Sequence, residues 1–253
     1  FLDVPGIRVF VLYPKGKVSA IQECQFTTLG RNITALEVDG VFDDCQALVK
    51  SAFVDADLNA HLQLTSANSI NVARFLPQAF YYFHAYAQMD RIGRAQRLIV
   101  SVPSGNFGNV CAGHIAKQMG LPVRRLMVAT NENDVLDEFF KTGRYLPRSA
   151  AQTHVTSSPS MDISKASNFE RFVFDLVERD TDKVNALWAD VASGKGFDLS
   201  DLLGTVRGKY GFVSGKSLHS DRLATIKQVY EQDRELIDPH TADGVKVARE
   251  VRE

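Results

Sequence analysis

The sequence has little cysteine: Cys24, Cys45 and Cys111 are odd in number, isolated and without CxxC spacing. That pattern excludes a disulfide framework and a cysteine-based zinc site, and fits reduced thiols in a cytoplasmic protein. An excess of one charge is also missing. The 29 basic and 30 acidic residues nearly cancel, and no run of Lys or Arg offers nucleic acid or an acidic membrane a reason to bind. No apolar run reaches the ~18 residues of a spanning helix, and the opening FLDVPGIRVF lacks the basic-then-apolar order of a secretory leader. The six histidines are scattered without HxxxH or HExxH spacing, so no metal site is expected. Internal repeats and low-complexity stretches are absent too.

What is present is a globular composition. With 253 residues and 45% hydrophobic content, the chain can bury one large core or two modest ones. Short β-rich runs alternate with helical patterns: strands over 7–13 and 33–38, helices over 18–29 and 43–53. Asp43 or Asp44 is expected to cap the second helix. A small α/β domain, or part of one, is expected over 1–60, and a large α/β domain over 61–253. Because IRVFVLY begins with almost no lead-in, the chain is expected to start inside a domain. Residues 69–89 carry apolar side chains at helical spacing, with Pro77 forcing a kink or break after Leu76. The aromatic group Phe80, Tyr81, Tyr82, Phe83 and Tyr86 reads as core.

Leu98 to Val102 is a near-continuous apolar run of the kind found in parallel sheets. A helix over 110–119 stopping at Gly120, and a strand over 125–129, complete a βαβ unit. Further helices are expected over 133–140, 169–191, 200–210 and 223–236, with a polar loop over 152–168 and a turn-rich connection over 208–215.

The chemistry concentrates in two segments. In Ser104-Gly105-Asn106-Phe107-Gly108-Asn109, two glycines let the backbone approach an oxyanion, while successive N–H groups and the following helix start aim positive dipole at it. Neither the Walker spacing nor GxGxxG is matched, so the anion stays unnamed at this level. In Ser66-Ala67-Asn68-Ser69-Ile70-Asn71-Val72-Ala73-Arg74, small polar side chains open a helix and an Arg follows. Asn68 or Ser69 can cap it, and the helix start with Arg74 either holds a second anion or is plain capping beside a surface cation.

These segments carry a resemblance. SVPSGNFGNVCAGHIAKQMGLPV and TSANSINVARFLPQ are similar to the threonine synthase family, as are VFVLYPKGKVSAIQE, VDGVFDDCQALVK, ATNENDVLDEFFKTG and SPSMDISKASNFERF, in the same order. The resemblance implies a fold-type-II pyridoxal-phosphate enzyme, tryptophan synthase beta-like, with open mostly parallel sheets, flanking helices and two domains. It implies conversion of O-phospho-L-homoserine and water to L-threonine and phosphate. Gly105, Asn106, Phe107, Gly108 and Asn109 would bind the phosphate of pyridoxal 5'-phosphate, largely through backbone N–H groups. Asn68, Ser69 and Arg74 would grip the substrate phosphate, with Asn106 shared.

The family's HGPTxAFKDF segment with its Schiff-base lysine, its TSGDTG loop and its GTAHPAKF segment do not occur here. Lys15, Lys50, Lys117 and Lys141 have the wrong neighbours. The chain is therefore expected to be an internal piece, incomplete at both ends, with no catalytic residue of its own and inactive alone. Alternatives are a threonine-synthase-like phospho-lyase, a non-catalytic module binding a phosphorylated metabolite and, more remotely, a nucleotide-binding domain.

Overall fold

The computed structural model describes residues 1–40, 42–67, 71–94 and 98–251. The chain divides into two compact units, Phe1–Thr65 and Ser66–Glu253.

In the first unit, β1 (Val9–Pro14) and β2 (Ile33–Val38) pair in parallel, with Val9 opposite Ile33. Between them runs α1 (Ala20–Thr27), which starts on a capping box that the sequence spells as Ser-x-x-Gln: Ser19 Oγ accepts the Gln22 N–H at 3.3 Å and Gln22 Oε1 accepts the Ser19 N–H at 3.3 Å. Two further helices follow, α2 (Phe42–Val54) and α3 (Ala56–His61). Because α2 begins at Phe42, Asp43 and Asp44 fall in its first turn rather than at the cap, which corrects the expectation. Tyr13 packs on Phe26 with ring centroids 4.8 Å apart.

The second unit opens with α4 (Val72–Phe75), a 3-10 turn at Leu76–Gln78 and α5 (Ala79–Arg91), so the expected helix is interrupted at Pro77. Tyr82 is buried, but Phe80 and Tyr81 are about two-thirds exposed, so the aromatic group is core on one face only. Then come β3 (Ile99–Pro103), α6 (Gly108–Gln118), β4 (Arg125–Thr130), α7 (Val135–Thr142) and β5 (Arg144–Tyr145). The polar stretch after β5 holds only short 3-10 turns before α8 (Phe169–Leu176), α9 (Thr181–Ala192) and β6 (Phe197–Asp198). The chain continues through α10 (Leu203–Gly208), β7 (Phe212–Lys216), α11 (His219–Asp233) and α12 (Pro239–Glu250).

Three strands lie parallel in the order β3-β4-β7, and β5 pairs antiparallel with β6. Two expectations are overturned here. The segment read as a turn-rich connection contains β7, because Gly211 supplies the left-handed turn (φ +73°) that starts the strand and Gly215 lies flat against Val247 inside it. The helix expected over 169–191 is two helices, since Glu178 and Arg179 adopt φ of +59° and +65° and break it. The described helices include none long and apolar enough to cross a membrane.

The core is aromatic. Phe107, Phe140, Phe169, Phe172 and Phe212 are at most 3% exposed, and the other four rings lie 5.2 to 6.0 Å from Phe107. This packing seats the turn after β3 at the carboxyl ends of the parallel strands, where open α/β sheets bind ligands.

Candidate functional site: an anion cradle after the third strand

Ser104 leaves β3 with its N–H donating to the Ala129 carbonyl at 2.9 Å, so the turn starts in register with β4. Helix α6 begins at Gly108, two residues earlier than the sequence pattern indicates, which makes Gly108 and Asn109 its first turn. The residue between is Phe107, left-handed at φ +66° and ψ +4°. A β-carbon there costs about 1–2 kcal/mol, and burial of the Phe107 ring in the aromatic core offsets it. The side chain is thus an anchor for the turn.

Gly105 is required for a different reason. It does not sit at positive φ; an added Cβ would lie 2.9 Å from the Met161 Cα and 3.1 Å from its carbonyl oxygen. The stretch carrying Met161 is itself fixed by buried polar groups at the end of β4. Asn131 and Asn133 donate through Nδ2 to Asp162 Oδ1 at 2.9 and 3.1 Å, and Asp162 Oδ2 accepts the Thr156 N–H at 2.9 Å.

The loop's donors sort into two sets. The Gly108 N–H donates to Asn106 Oδ1 at 2.9 Å. Among the described residues, the N–H groups of Gly105, Asn106, Phe107, Asn109 and Val110 donate to no protein acceptor. Five clustered donors at a helix start are the complement of a phosphate, so the residues present fit the cofactor's phosphate group. The Asn109 side chain is already engaged: Tyr82 Oη donates to its Oδ1 at 2.8 Å, and its Nδ2 donates to Gln78 Oε1 at 3.0 Å.

Of the second segment, Asn68 and Ser69 lie outside the described residues. The cap of α4 is Asn71, whose Oδ1 accepts the Ala73 N–H at 3.0 Å while its Nδ2 donates to the Ser66 carbonyl at 3.1 Å. Arg74 is exposed on α4. Both α4 and the 3-10 turn pack on α6, and the Gln78 bond to Asn109 ties this segment directly to the cradle helix. The fold therefore brings the two sequence-read segments together.

Two of the lysines read as unsuitable, Lys117 and Lys141, are engaged elsewhere. Lys117 donates to the Arg124 and Tyr210 carbonyls at the amino ends of β4 and β7, opposite the cradle, and burial lowers its pKa. Lys141 pairs with Asp137 at 2.8 Å. At the carboxyl end of β7, Lys216 donates to Asp134 at 2.8 Å, and that bond raises its pKa and keeps it charged.

No protein-family model matches the chain. Two curated relatives are the threonine synthase of Methylobacillus glycogenes, 55% identical, and that of Corynebacterium glutamicum, 52% identical; each match covers 98% of this chain and 52% of the relative. The structure of pyridoxal-phosphate-bound threonine synthase from Brucella melitensis superposes with a TM-score of 0.84 at 43% identity, over 97% of this chain and 52% of that one. Maize serine racemase shares the fold alone, with a TM-score of 0.58 at 12% identity over 95% of this chain and 58% of that one.

The strand order, the cradle and these superpositions define the fold of the type-II pyridoxal-phosphate enzymes. Within that class, the chain belongs to the threonine synthase family, and it spans about half the length of the curated relatives it matches.

Proposed function

We propose that the protein acts as a threonine synthase, converting O-phospho-L-homoserine and water to L-threonine and phosphate with pyridoxal 5'-phosphate as cofactor, in the cytoplasm. The observation that carries this reading is the set of five unspent N–H groups in and after the loop Ser104 to Asn109, in a chain of this family. On this reading Phe1–Thr65 is part of a small domain and Ser66–Glu253 is the cofactor-binding domain.

Gly105, Asn106, Phe107 and Asn109 offer their N–H groups to the cofactor phosphate. Gly108, its own N–H spent on Asn106, starts the helix whose dipole favours the anion. When bound, the cofactor supplies the electron sink for charge developing on the substrate carbons. Arg74, with Asn68 and Ser69, holds the substrate phosphate; a guanidinium bonds it bidentately and stabilises the charge that builds as it departs. With Asn106 Oδ1 already accepting from Gly108, only its Nδ2 is left to reach a second phosphate.

The test is turnover of O-phospho-L-homoserine by the protein at its native length. Threonine and phosphate in equal amounts are expected; phosphate with 2-oxobutanoate and no threonine would overturn the reading in favour of a phospho-lyase. For Arg74→Ala, kcat/KM is expected to fall about 100-fold with cofactor affinity unchanged. Equal loss of both would remove Arg74 from the substrate site.

A further inference from the structure

Asn168 stands at the N-cap of α8, is fully buried, and makes no side-chain capping bond to a backbone N–H of that helix. An N-cap Asn ordinarily uses its Oδ1 on a first-turn N–H. Here Oδ1 accepts instead from Arg171 Nη1, and Nδ2 donates to the Asn106 carbonyl at 3.2 Å. A guanidinium can only donate, so the Arg171 contact fixes which end of the amide is which. The Asn168 backbone N–H donates to the same Asn106 carbonyl at 3.1 Å. Arg171 is in turn seated over the Phe75 ring, 4.6 Å from its centroid.

Two donors converging on one carbonyl oxygen have a consequence across the peptide unit. No cis peptide occurs among the described residues, and in a trans peptide the C=O and N–H point in opposite directions. Holding the Asn106 oxygen against α8 therefore turns the Phe107 N–H the other way, away from α8. Phe107 is also the strained residue of the loop, left-handed without being glycine, so its backbone needs anchors on both sides. Its ring, in the aromatic core, is one; the Asn168 grip on the preceding carbonyl is the other. Gly108 belongs to the same packing, since a Cβ there would lie 3.3 Å from Asn168 Nδ2.

We propose that Asn168, held by Arg171, is a positioning residue for the phosphate cradle: it orients the Asn106–Phe107 peptide so that the Phe107 N–H meets the anion. The claim rests on reading the cradle as the cofactor-phosphate site. It separates Asn168 from ordinary helix capping, because its side chain caps no backbone N–H of α8 and its Nδ2 reaches a loop 62 residues away.

The experiment compares wild type, Asn168→Ala and Arg171→Met in the protein at its native length. It uses pyridoxal 5'-phosphate titration, the Phe107 amide resonance in ¹H–¹⁵N spectra, and the thermal midpoint of the cofactor-free protein. In wild type the Phe107 amide proton is expected to move downfield on binding. Asn168→Ala is expected to bind about tenfold more weakly, with most of that movement lost. Arg171→Met, which keeps an apolar stem on Phe75 but removes the donor to Asn168 Oδ1, is expected to bind about threefold more weakly with a partial loss of movement. A lowered midpoint with the Phe107 movement intact in both variants assigns Asn168 a structural role only and overturns the proposal. If Asn168→Ala does not fold, Arg171→Met decides by the same resonance. Wild type that binds no pyridoxal 5'-phosphate overturns the cofactor reading instead. Inorganic phosphate then serves as the probe, and a Phe107 movement in wild type that Asn168→Ala lacks supports the positioning role alone.

Discussion

Gly105 and Phe107 do opposite jobs two residues apart. Phe107 tolerates a left-handed backbone because its ring is worth more in the aromatic core than the conformation costs, whereas Gly105 has an ordinary φ and no room. A Cβ at Gly105 meets the Met161 backbone, which cannot swing aside as a side-chain tip would, because Asn131, Asn133 and Thr156 hold Asp162 next to it. Gly105→Ala is therefore expected to lower stability by about 1–3 kcal/mol through overpacking, and to weaken cofactor binding as the loop shifts. Urea midpoints together with the absorbance of bound pyridoxal 5'-phosphate check both effects. An unchanged midpoint with full absorbance would show that Met161 yields, and that the close approach has no energetic weight.

At the scale of elements, the polar centre behind the sheet is Arg222 of α11. It is 1% exposed, donates to both Glu132 oxygens at 2.8 and 2.9 Å and to Asp243 of α12 at 3.1 Å, and its Nε donates to Ser157 Oγ at 2.8 Å. One guanidinium thus ties two helices, the turn after β4 and the loop that backs the cradle. Burial raises the Asp243 pKa while the Arg222 hydrogen bond and charge oppose it, so removing the cation leaves a fully buried carboxyl without its charge partner. Arg222→Met is expected to cost about 3–5 kcal/mol, measured by urea unfolding; a loss below about 1 kcal/mol would mean the cluster is energetically neutral. Parts of this architecture were open to reading in the sequence and others were not. The strands β3 and β4 announce themselves as apolar runs, but β7 is flanked and interrupted by glycines that resemble a turn. Helix α12 carries two start signals, the Asp238 N-cap and Pro239 at its first position, so its start is legible in the sequence. The break between α8 and α9 is marked on one side only: Asp180 caps α9, its Oδ1 accepting the Lys183 N–H at 2.9 Å, but Glu178 and Arg179 are left-handed without the glycine that would signal the end of α8.

At the scale of the whole molecule, the cradle was legible because strand, glycine loop and helix are contiguous, while Asn168 was not, because only the tertiary fold returns it to Asn106. The same separation governs His114. It lies on α6 one turn past the cradle and donates from Nε2 to Asp175 Oδ2 of α8 at 2.9 Å. The rings of Phe172, Tyr210 and Phe212 surround it, at centroid distances of 5.3, 5.1 and 5.9 Å. Its Nδ1 has no hydrogen-bond partner among the described residues, so a second proton on the ring would be buried without an acceptor. Burial lowers the His114 pKa; the Asp175 hydrogen bond and charge oppose this, and nearby Lys117 adds to it. Arg179 shares Asp175 and draws on the same carboxylate. The sign follows from the folded pKa lying below the unfolded value of about 6.5. Below that pH the unfolded chain takes up a proton that the folded one resists, so stability falls as pH drops through about 6.5, by at most about 1.4 kcal/mol per pH unit, until the folded value is reached. Above about 6.5 both states are neutral at this position and the contribution vanishes. In His114→Gln, which can still donate to Asp175 but does not titrate, the loss between about pH 6.5 and 5 is expected to be smaller than in wild type by up to about 2 kcal/mol. Urea midpoints across that range provide the measurement. Parallel curves for the two proteins would mean that the folded core accepts a charged His114 as readily as water does.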